Sequence, residues 1–282
     1  MPDATPPAKA VPAVGRLALH TKTLQRLSLA ECVELCVRKG IAGLSVWRDV
    51  LHDAGVDTAA RLLRDAGLAV PALVRGGFFV HADAAARRRA DDDNRRCLDE
   101  ASALGADMVV LVVGSGNGVG LAAGREQVRD AVGRLLVEAE TAGVRLAVEP
   151  LHPMYAADKS CINRLRDAND LCDALGHPSL GVAVDVYHTW WDPDLDAEIA
   201  RAGRAGRLFG FHLCDWRLET RDLLLDRELM GRGCIPLRHI GQAMRAAGFD
   251  GFDEVEIFSE DYWAMDPPAF VDAIRDAYAT SC

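Results

Sequence analysis

The chain has 282 residues, of which 50% are hydrophobic and 26% are charged, so it is long and apolar enough to bury a full core. Its formal net charge of -10 disfavours unspecific attraction to phosphate backbones, so nucleic acid is not an expected partner. The eight cysteines include no CxxC pair, which favours reduced thiols in a cytoplasmic protein. We find no apolar run of membrane-spanning length and no signal peptide pattern, and therefore expect a cytoplasmic protein without a membrane partner.

The first 14 residues are rich in Pro and Ala and predict a disordered or strap-like extension. We expect residues 15–282 to form one domain. In that part of the chain, eight strand-like apolar runs alternate with eight segments of helical period. The helical segments are 28–39, 58–66, 84–104, 125–142, 161–175, 195–202, 237–247 and 268–279.

The apolar runs show little alternation, which indicates strands buried on both faces, as in a parallel sheet covered by helices. Eight strand and helix pairs predict an α/β protein with a single-domain (β/α)₈ TIM barrel. A doubly wound open sheet is the alternative, but no GxGxxG follows the first strand. The glycine run GSGNGVG at 114–120 is more typical of a flexible loop than of a phosphate site.

Four consecutive apolar runs each contain or end at a carboxylate or imidazole side chain, the types that bind metal ions. These residues are Glu149, Asp185, His212 and Glu256. In a TIM barrel the carboxyl ends of the strands meet at one face, so we expect the four side chains to converge. Four separate ion pairs are the alternative, but the repetition favours one shared site, since a carboxylate in an apolar strand is costly to bury unpaired.

Three carboxylates and one imidazole form an oxygen-rich set that suits one divalent cation. Mn²⁺ is the preferred candidate, and Mg²⁺, Co²⁺ or Zn²⁺ would also be compatible. The sequence therefore predicts a metal centre at the carboxyl ends of strands five to eight.

These residues stand in patterns that resemble the xylose isomerase-like TIM barrel superfamily over about residues 16–279. The patterns are AVEP with Glu149, DxxH with Asp185 and His188, FH with His212, and EVE with Glu256. The resemblance is to the sugar phosphate isomerase/epimerase group, with D-tagatose 3-epimerase, hydroxypyruvate isomerase and inosose dehydratase relatives. It implies that the four residues bind metal and that His188 binds a substrate oxygen. One departure is GRGCI at 231–235, where Arg232 stands in place of the acid found in many relatives.

The residue types favour proton abstraction from the carbon next to a carbonyl. A metal would polarise the carbonyl and stabilise a cis-enediolate, while Glu149 and Glu256 act as the acid/base pair. Returning the proton to the opposite face gives an epimerase, and returning it to the adjacent carbon gives an isomerase. The family resemblance implies that the substrate is a small carbohydrate or cyclitol.

The alternative is a dehydratase or lyase that uses the same enediolate to expel a leaving group. Such reactions include inosose-type dehydration and β-elimination from a 3-oxo-glycoside, including C-glycoside cleavage. His152 and His188 would then protonate the departing oxygen, although His152 could instead cap a loop and His188 could only orient substrate.

Further candidates for substrate binding are His152, His188, Trp47, His20, Trp191 and Arg217. Trp side chains can stack on sugar rings, and an arginine can bind a phosphate or hydroxyl group. Two other classes of function rank lower, namely an endonuclease IV-like DNA repair enzyme and a non-catalytic sugar-binding barrel. A homo-oligomer is also an open expectation.

Overall fold

The computed structural model describes residues 14–116 and 118–282 and shows a closed barrel of parallel strands. The strands are β1 Leu17–His20, β2 Gly43–Trp47, β3 Ala72–Gly77, β4 Met108–Val112, β5 Arg145–Val148, β6 Leu180–Asp185, β7 Leu208–Leu213, β8 Asp215–Trp216, β9 Arg227–Glu228 and β10 Asp253–Val255. The barrel order is β1-β10-β7-β6-β5-β4-β3-β2, whereas β8 and β9 form a separate antiparallel pair. The predicted single-domain (β/α)₈ barrel is confirmed, while the prediction for residues 1–14 lies, apart from Val14, outside the described residues.

Helices surround the barrel. They are α1 Leu29–Lys39, α2 Arg48–Ala54, α3 Val56–Asp65, α4 Ala84–Leu104, α5 Leu121–Ala142, α6 Leu165–Leu175, α7 Val186–Thr189, α8 Leu195–Arg204, α9 Leu237–Ala246, α10 Glu260–Trp263 and α11 Pro267–Ser281. The sequence analysis predicted one helix between the second and third strands, but two are present, because Gly55 adopts a φ of +79° and separates α2 from α3. None of the described helices combines the length and apolar character needed to cross a membrane.

Local signals in the sequence set the ends of α1. Ser28 and Glu31 form a capping box, in which each side chain accepts a backbone N–H group of the other residue. At the other end, Gly40 takes a left-handed conformation, with φ of +66°, that a residue with a side chain would adopt at a cost. The start and end of this helix are therefore fixed by the sequence itself.

The barrel interior contains an apolar layer below the candidate site. It is formed by Ala72, Val74, Met108, Val110, Ala147, Ala183 and Phe209. Side chains two apart on a strand share a face, so Glu149 follows Ala147, and Asp185 follows Ala183, toward the same side. Packing is close here, because a Cβ atom on Gly210 would lie 2.8 Å from Met108 Cε. The apolar layer thus supports the polar residues at the carboxyl ends of the strands.

Candidate metal centre and substrate cavity

Four side chains from adjacent strands converge at the carboxyl end of the barrel. Glu149 directly follows β5, Asp185 ends β6, His212 lies in β7, and Glu256 directly follows β10. All four are buried, and one potential ligand atom from each lies within 4.8 Å of the others. Oxygen ligands at about 2.0–2.6 Å from a central divalent ion are separated by up to about 4–5 Å, so this group fits one cation.

The imidazole of His212 is held between two carboxylates. Its Nδ1 atom lies 2.8 Å from Glu149 Oε1, and its Nε2 atom lies 4.0 Å from Glu254 Oε1. Burial by itself would lower the pKa of His212, but Glu149 and Glu254 outweigh it and raise the pKa to about 10. Nδ1 contacts Glu149, another member of the four-residue group, so a cation bound through that atom would replace its proton.

Arg227 lies between two of the carboxylates in the four-residue group. Its Nη1 atom donates to Asp185 Oδ2 at 3.1 Å and to Glu256 Oε2 at 2.9 Å. The side chain is buried, and its guanidinium group lies 4.4 Å from the centre of the Tyr187 ring. Arg227 was not predicted as a site residue. It stands between two acids in the apolar run LLLDRELM, but that pattern does not give its position relative to the barrel.

A second cluster of buried polar residues shares His212 with the four-residue group. His20, His212 and Glu254 place potential ligand atoms close together. The Nδ1 atom of His20 lies 3.0 Å from Glu256 Oε1, while its Nε2 atom lies 3.3 Å from Glu254 Oε2. Ser45 Oγ donates to the same Glu254 oxygen at 2.5 Å. Glu254 was missed by the sequence analysis, although its position two residues before Glu256 in EVE puts both on one side of β10.

The two acids that contact Arg227 differ in their protonation behaviour. Burial raises the pKa of Asp185 to about 7; Arg227 opposes this shift, whereas Glu256 and Glu149 add to it. Burial would also raise the pKa of Glu256, but the positive charges of His20 and Arg227 hold it well below the usual range. Glu256 is therefore a carboxylate at neutral pH.

A cavity of about 150 Å³ adjoins the four-residue group. Its lining comprises Trp47, Val74, Arg75, Val112, Glu149, Leu151, Tyr155, Lys159, His188, Leu224, Arg227, Glu256 and Phe258. Glu149 and Glu256 border this space, whereas Asp185 and His212 are absent from its lining. The two candidate acid/base residues can therefore meet a molecule in the cavity.

His188 lines the cavity on the short helix α7, which follows β6 directly. Its Nε2 atom lies 3.4 Å from Arg227 Nη2 and 3.6 Å from Asp185 Oδ2. Burial, followed by the charge of Arg227, lowers the pKa of His188 well below its usual value. The ring is thus neutral at pH 7 and suited to hydrogen bonding with a substrate oxygen.

Of the other residues predicted to bind substrate, some line the cavity and others do not. Trp47 lines the cavity, and its indole Nε1 atom lies 3.2 Å from His20 Nδ1, but His20 itself is fully buried outside the lining. Trp191 and His152 also lie outside the lining and pack against each other, with ring centres 5.6 Å apart. His152 Nδ1 accepts the backbone N–H of Met154 at 3.2 Å, which is the loop-capping alternative named above.

Arg217 does not border the cavity either. Its Nε atom lies 2.8 Å from Asp226 Oδ1, and its Nη1 atom lies 3.0 Å from Glu228 Oε2. Arg221 also pairs with Asp226 and with Asp261. Both arginines therefore stabilise the 217–226 loop, and neither presents an unpaired charge to a substrate.

The loop with the departure GRGCI is held by Asp215. The carboxylate of Asp215 accepts backbone N–H groups from Gly231, Gly233 and Ile235, each at 2.9 Å. Arg232 is exposed and lies outside the lining of the cavity. In this chain, residue 232 therefore contributes no side chain to the candidate site.

The chain belongs to the xylose isomerase-like TIM barrel family, whose model matches residues 30–278. It is similar to a structurally characterised protein from Sinorhizobium meliloti 1021, with 44% identity over 96% of this chain and 99% of that one, and a TM-score of 0.93. It is also 24% identical over 255 residues to the inosose isomerase of Bacillus velezensis, covering 86% of this chain and 88% of the relative. The fold further resembles the IolI protein crystallised with a zinc atom, with 20% identity over 93% of this chain and 96% of that one, and a TM-score of 0.81.

Proposed function

We propose that this protein is a divalent-metal-dependent isomerase or epimerase that acts on a small carbohydrate or cyclitol. The main support is that Glu149 and Glu256 both border the cavity and both belong to the buried four-residue group. With a substrate in the cavity, two carboxylates would lie beside it, close to the position where a metal would hold its oxygens. Inosose isomerase activity in a relative is consistent with such a substrate.

Glu149, Asp185, His212 and Glu256 would hold the ion, and Mn²⁺ is our preferred candidate. The zinc atom bound in IolI keeps Zn²⁺ as an alternative. When bound, the ion supplies positive charge that acidifies the hydrogen next to the substrate carbonyl.

In the proposed reaction, a carboxylate oxygen of Glu149 or Glu256 removes a proton from the carbon next to the carbonyl, giving an enediolate. The other glutamate enters this step protonated and gives its proton either to the opposite face of the same carbon or to the neighbouring carbon, so the protonation of the pair is reversed and is restored by exchange with water. His20 and Arg227 keep Glu256 ionised, so it is ready to accept the first proton. Arg227 also fixes the carboxylate of Glu256 by direct hydrogen bonding.

His188 is proposed to bind a substrate oxygen and not to deliver a proton. A lyase would need an acid for the leaving group, but His188 is neutral at pH 7 because burial and Arg227 lower its pKa. His152, the second candidate acid, caps a loop outside the cavity lining. These two observations favour isomerisation or epimerisation over elimination.

Deuterium uptake tests the proposal. The Mn²⁺-loaded protein would be incubated in D₂O with a panel of ketohexoses, inososes and 3-oxo-glycosides, and each compound examined by NMR and mass spectrometry. We expect deuterium at the carbon next to the carbonyl in at least one compound, together with an epimer or isomer. Elimination products without epimer would establish the lyase alternative, and no uptake into any compound would contradict enolisation.

A further inference from the structure

Two basic side chains line the same cavity without an acidic partner. Arg75 comes from β3 and Lys159 from the loop after β5. Within residues 14–116 and 118–282, neither side chain forms a salt bridge. Instead, the Arg75 guanidinium lies 4.6 Å from the centre of the Phe78 ring, and the Lys159 ammonium lies 3.9 Å from the centre of the Tyr155 ring.

Other cations of this region differ from these two. Arg217 and Arg221 are paired with carboxylates of the 217–226 loop, and Arg227 is paired with Asp185 and Glu256. Arg75 and Lys159 thus differ in being cationic groups of the cavity wall that form no salt bridge with a carboxylate of the described residues.

Partial burial of these two cations is unfavourable in the absence of an anion. Burial lowers the pKa of Arg75, although Glu149 and Glu256 oppose the shift. Burial likewise lowers the pKa of Lys159, and the charges of Arg75 and Arg227 add to the shift, whereas Asp158 and Asp222 oppose it. Desolvation and mutual repulsion are relieved when a negatively charged group lies between such cations.

We infer that the substrate carries an anionic group, a carboxylate or a phosphate ester, which Arg75 and Lys159 bind while its carbonyl end reaches Glu149 and Glu256. This inference rests on the proposed function and names the substrate class of the same cavity. The planar fork of Arg75 can donate two parallel hydrogen bonds to such a group, and Lys159 adds a compact charge. The contacts with the ring faces of Phe78 and Tyr155 do not use all the N–H groups of either side chain, so both can still donate to an anion.

Calorimetry tests the anion site directly. Inorganic phosphate and acetate would be titrated separately into the Mn²⁺-loaded wild-type protein and into Arg75→Gln, Lys159→Gln and Arg88→Gln variants. Arg88 is an exposed arginine of α4 and serves as the control for loss of one charge. We expect at least one anion to bind, with about 10- to 100-fold weaker binding in the first two variants and none of this loss in the control, as for charge-assisted hydrogen bonds. The inference is overturned if neither anion binds, or if both variants bind like wild type, which would place the anion on the metal.

Measuring deuterium uptake into neutral and charged substrates tests the anion site separately from the proposed function. It also distinguishes a carboxylate from a phosphate ester. D-Fructose, its 6-phosphate and the corresponding C6 carboxylate, fructuronate, would be compared for deuterium uptake in D₂O. A preference for one charged compound, lost in Arg75→Gln and Lys159→Gln, supports the inference and identifies the anion. Equal uptake into all three compounds, unchanged in both variants, contradicts the inference but leaves the function intact. No uptake, combined with variant-sensitive anion binding, counts against the function and leaves the anion site standing.

Discussion

Arg227 and Glu256 form a buried ion pair at the edge of the cavity, with Arg227 Nη1 2.9 Å from Glu256 Oε2. The same Nη1 atom donates to the main-chain oxygen of Glu256 at 3.1 Å. Because both the side chain and the backbone of Glu256 are held, its carboxylate has a defined position beside the cavity. The pair links a candidate acid/base residue to the β8–β9 hairpin, which is not part of the barrel.

Replacement of either acid/base residue should abolish most turnover. We expect Glu149→Gln and Glu256→Gln each to lower kcat for deuterium exchange by about 10²- to 10⁴-fold, because an amide cannot accept the substrate proton. Glu126→Gln, on the exposed side of α5, is the matched control and should retain wild-type kcat. Full activity in either site variant would rule out the two-carboxylate mechanism, and circular dichroism would verify folding.

Removal of Arg227 should destabilise the protein in the absence of metal. Arg227→Met leaves Asp185 and Glu256 buried without their cationic partner, so we expect a loss of about 3–5 kcal/mol in the free energy of unfolding. Added Mn²⁺ should restore part of this loss, because it supplies positive charge to the same carboxylates. Urea unfolding with and without Mn²⁺ measures both effects.

Arg95→Met provides the control for this prediction. Arg95 also pairs with a carboxylate, Glu138, but the pair is exposed, and its loss should cost less than about 1 kcal/mol. Equal destabilisation by the two substitutions would contradict the role assigned to the buried pair.

Glu254 should tune metal binding through His212. Its carboxylate lies 4.0 Å from Nε2 of His212, while Nδ1 of the same ring contacts Glu149 of the four-residue group, so Glu254→Gln should weaken metal affinity by about 10- to 100-fold. The control is Glu228→Gln, since Glu228 is a buried glutamate that pairs with Arg217, away from His212. Competition with a fluorescent chelator would give both affinities, and unchanged affinity in Glu254→Gln would refute the orienting role.

The 217–226 loop should lose stability at acid pH through Asp226. Burial would raise the pKa of Asp226, but hydrogen bonds from Arg221 and the charge of Arg217 hold it below the usual value. A lowered pKa in the folded state means that the stabilisation is complete above the ordinary aspartate pKa of about 4 and is lost as pH falls through the folded value. Wild type should therefore be more stable than Asp226→Asn at pH 6, and the difference in Tm should shrink below about pH 4. A difference that stays constant from pH 6 to pH 3 would be inconsistent with this linkage.

The barrel and the four-residue group could be anticipated because both depend on regular strands. Glu149, Asp185, His212 and Glu256 each follow or end an apolar run, and parallel pairing brings the ends of such runs to one face. The number of strands and their parallel direction were enough to predict that the four side chains converge.

Arg227 could not be placed in the same way, since it follows an irregular loop whose path no hydrophobic period describes. Arg217 was predicted to bind a phosphate or hydroxyl group of the substrate, yet it pairs with Asp226 and Glu228 outside the cavity lining. Arg75 was also missed, because it interrupts the apolar β3 strand without any neighbouring acid to mark it. A charged residue whose partners are distant in the sequence follows no hydrophobic period, so a pattern of apolar residues cannot locate it.

Glu149, Asp185, His212 and Glu256 are proposed to share one metal ion. A crystal structure of the Mn²⁺-soaked protein, with anomalous diffraction measured above and below the manganese edge, tests it most directly. We predict one anomalous peak within about 2.0–2.6 Å of a ligand atom from each of the four residues, with Nδ1 as the ligand atom of His212. No peak between them, or a peak held instead by His20, His212 and Glu254, would contradict the account.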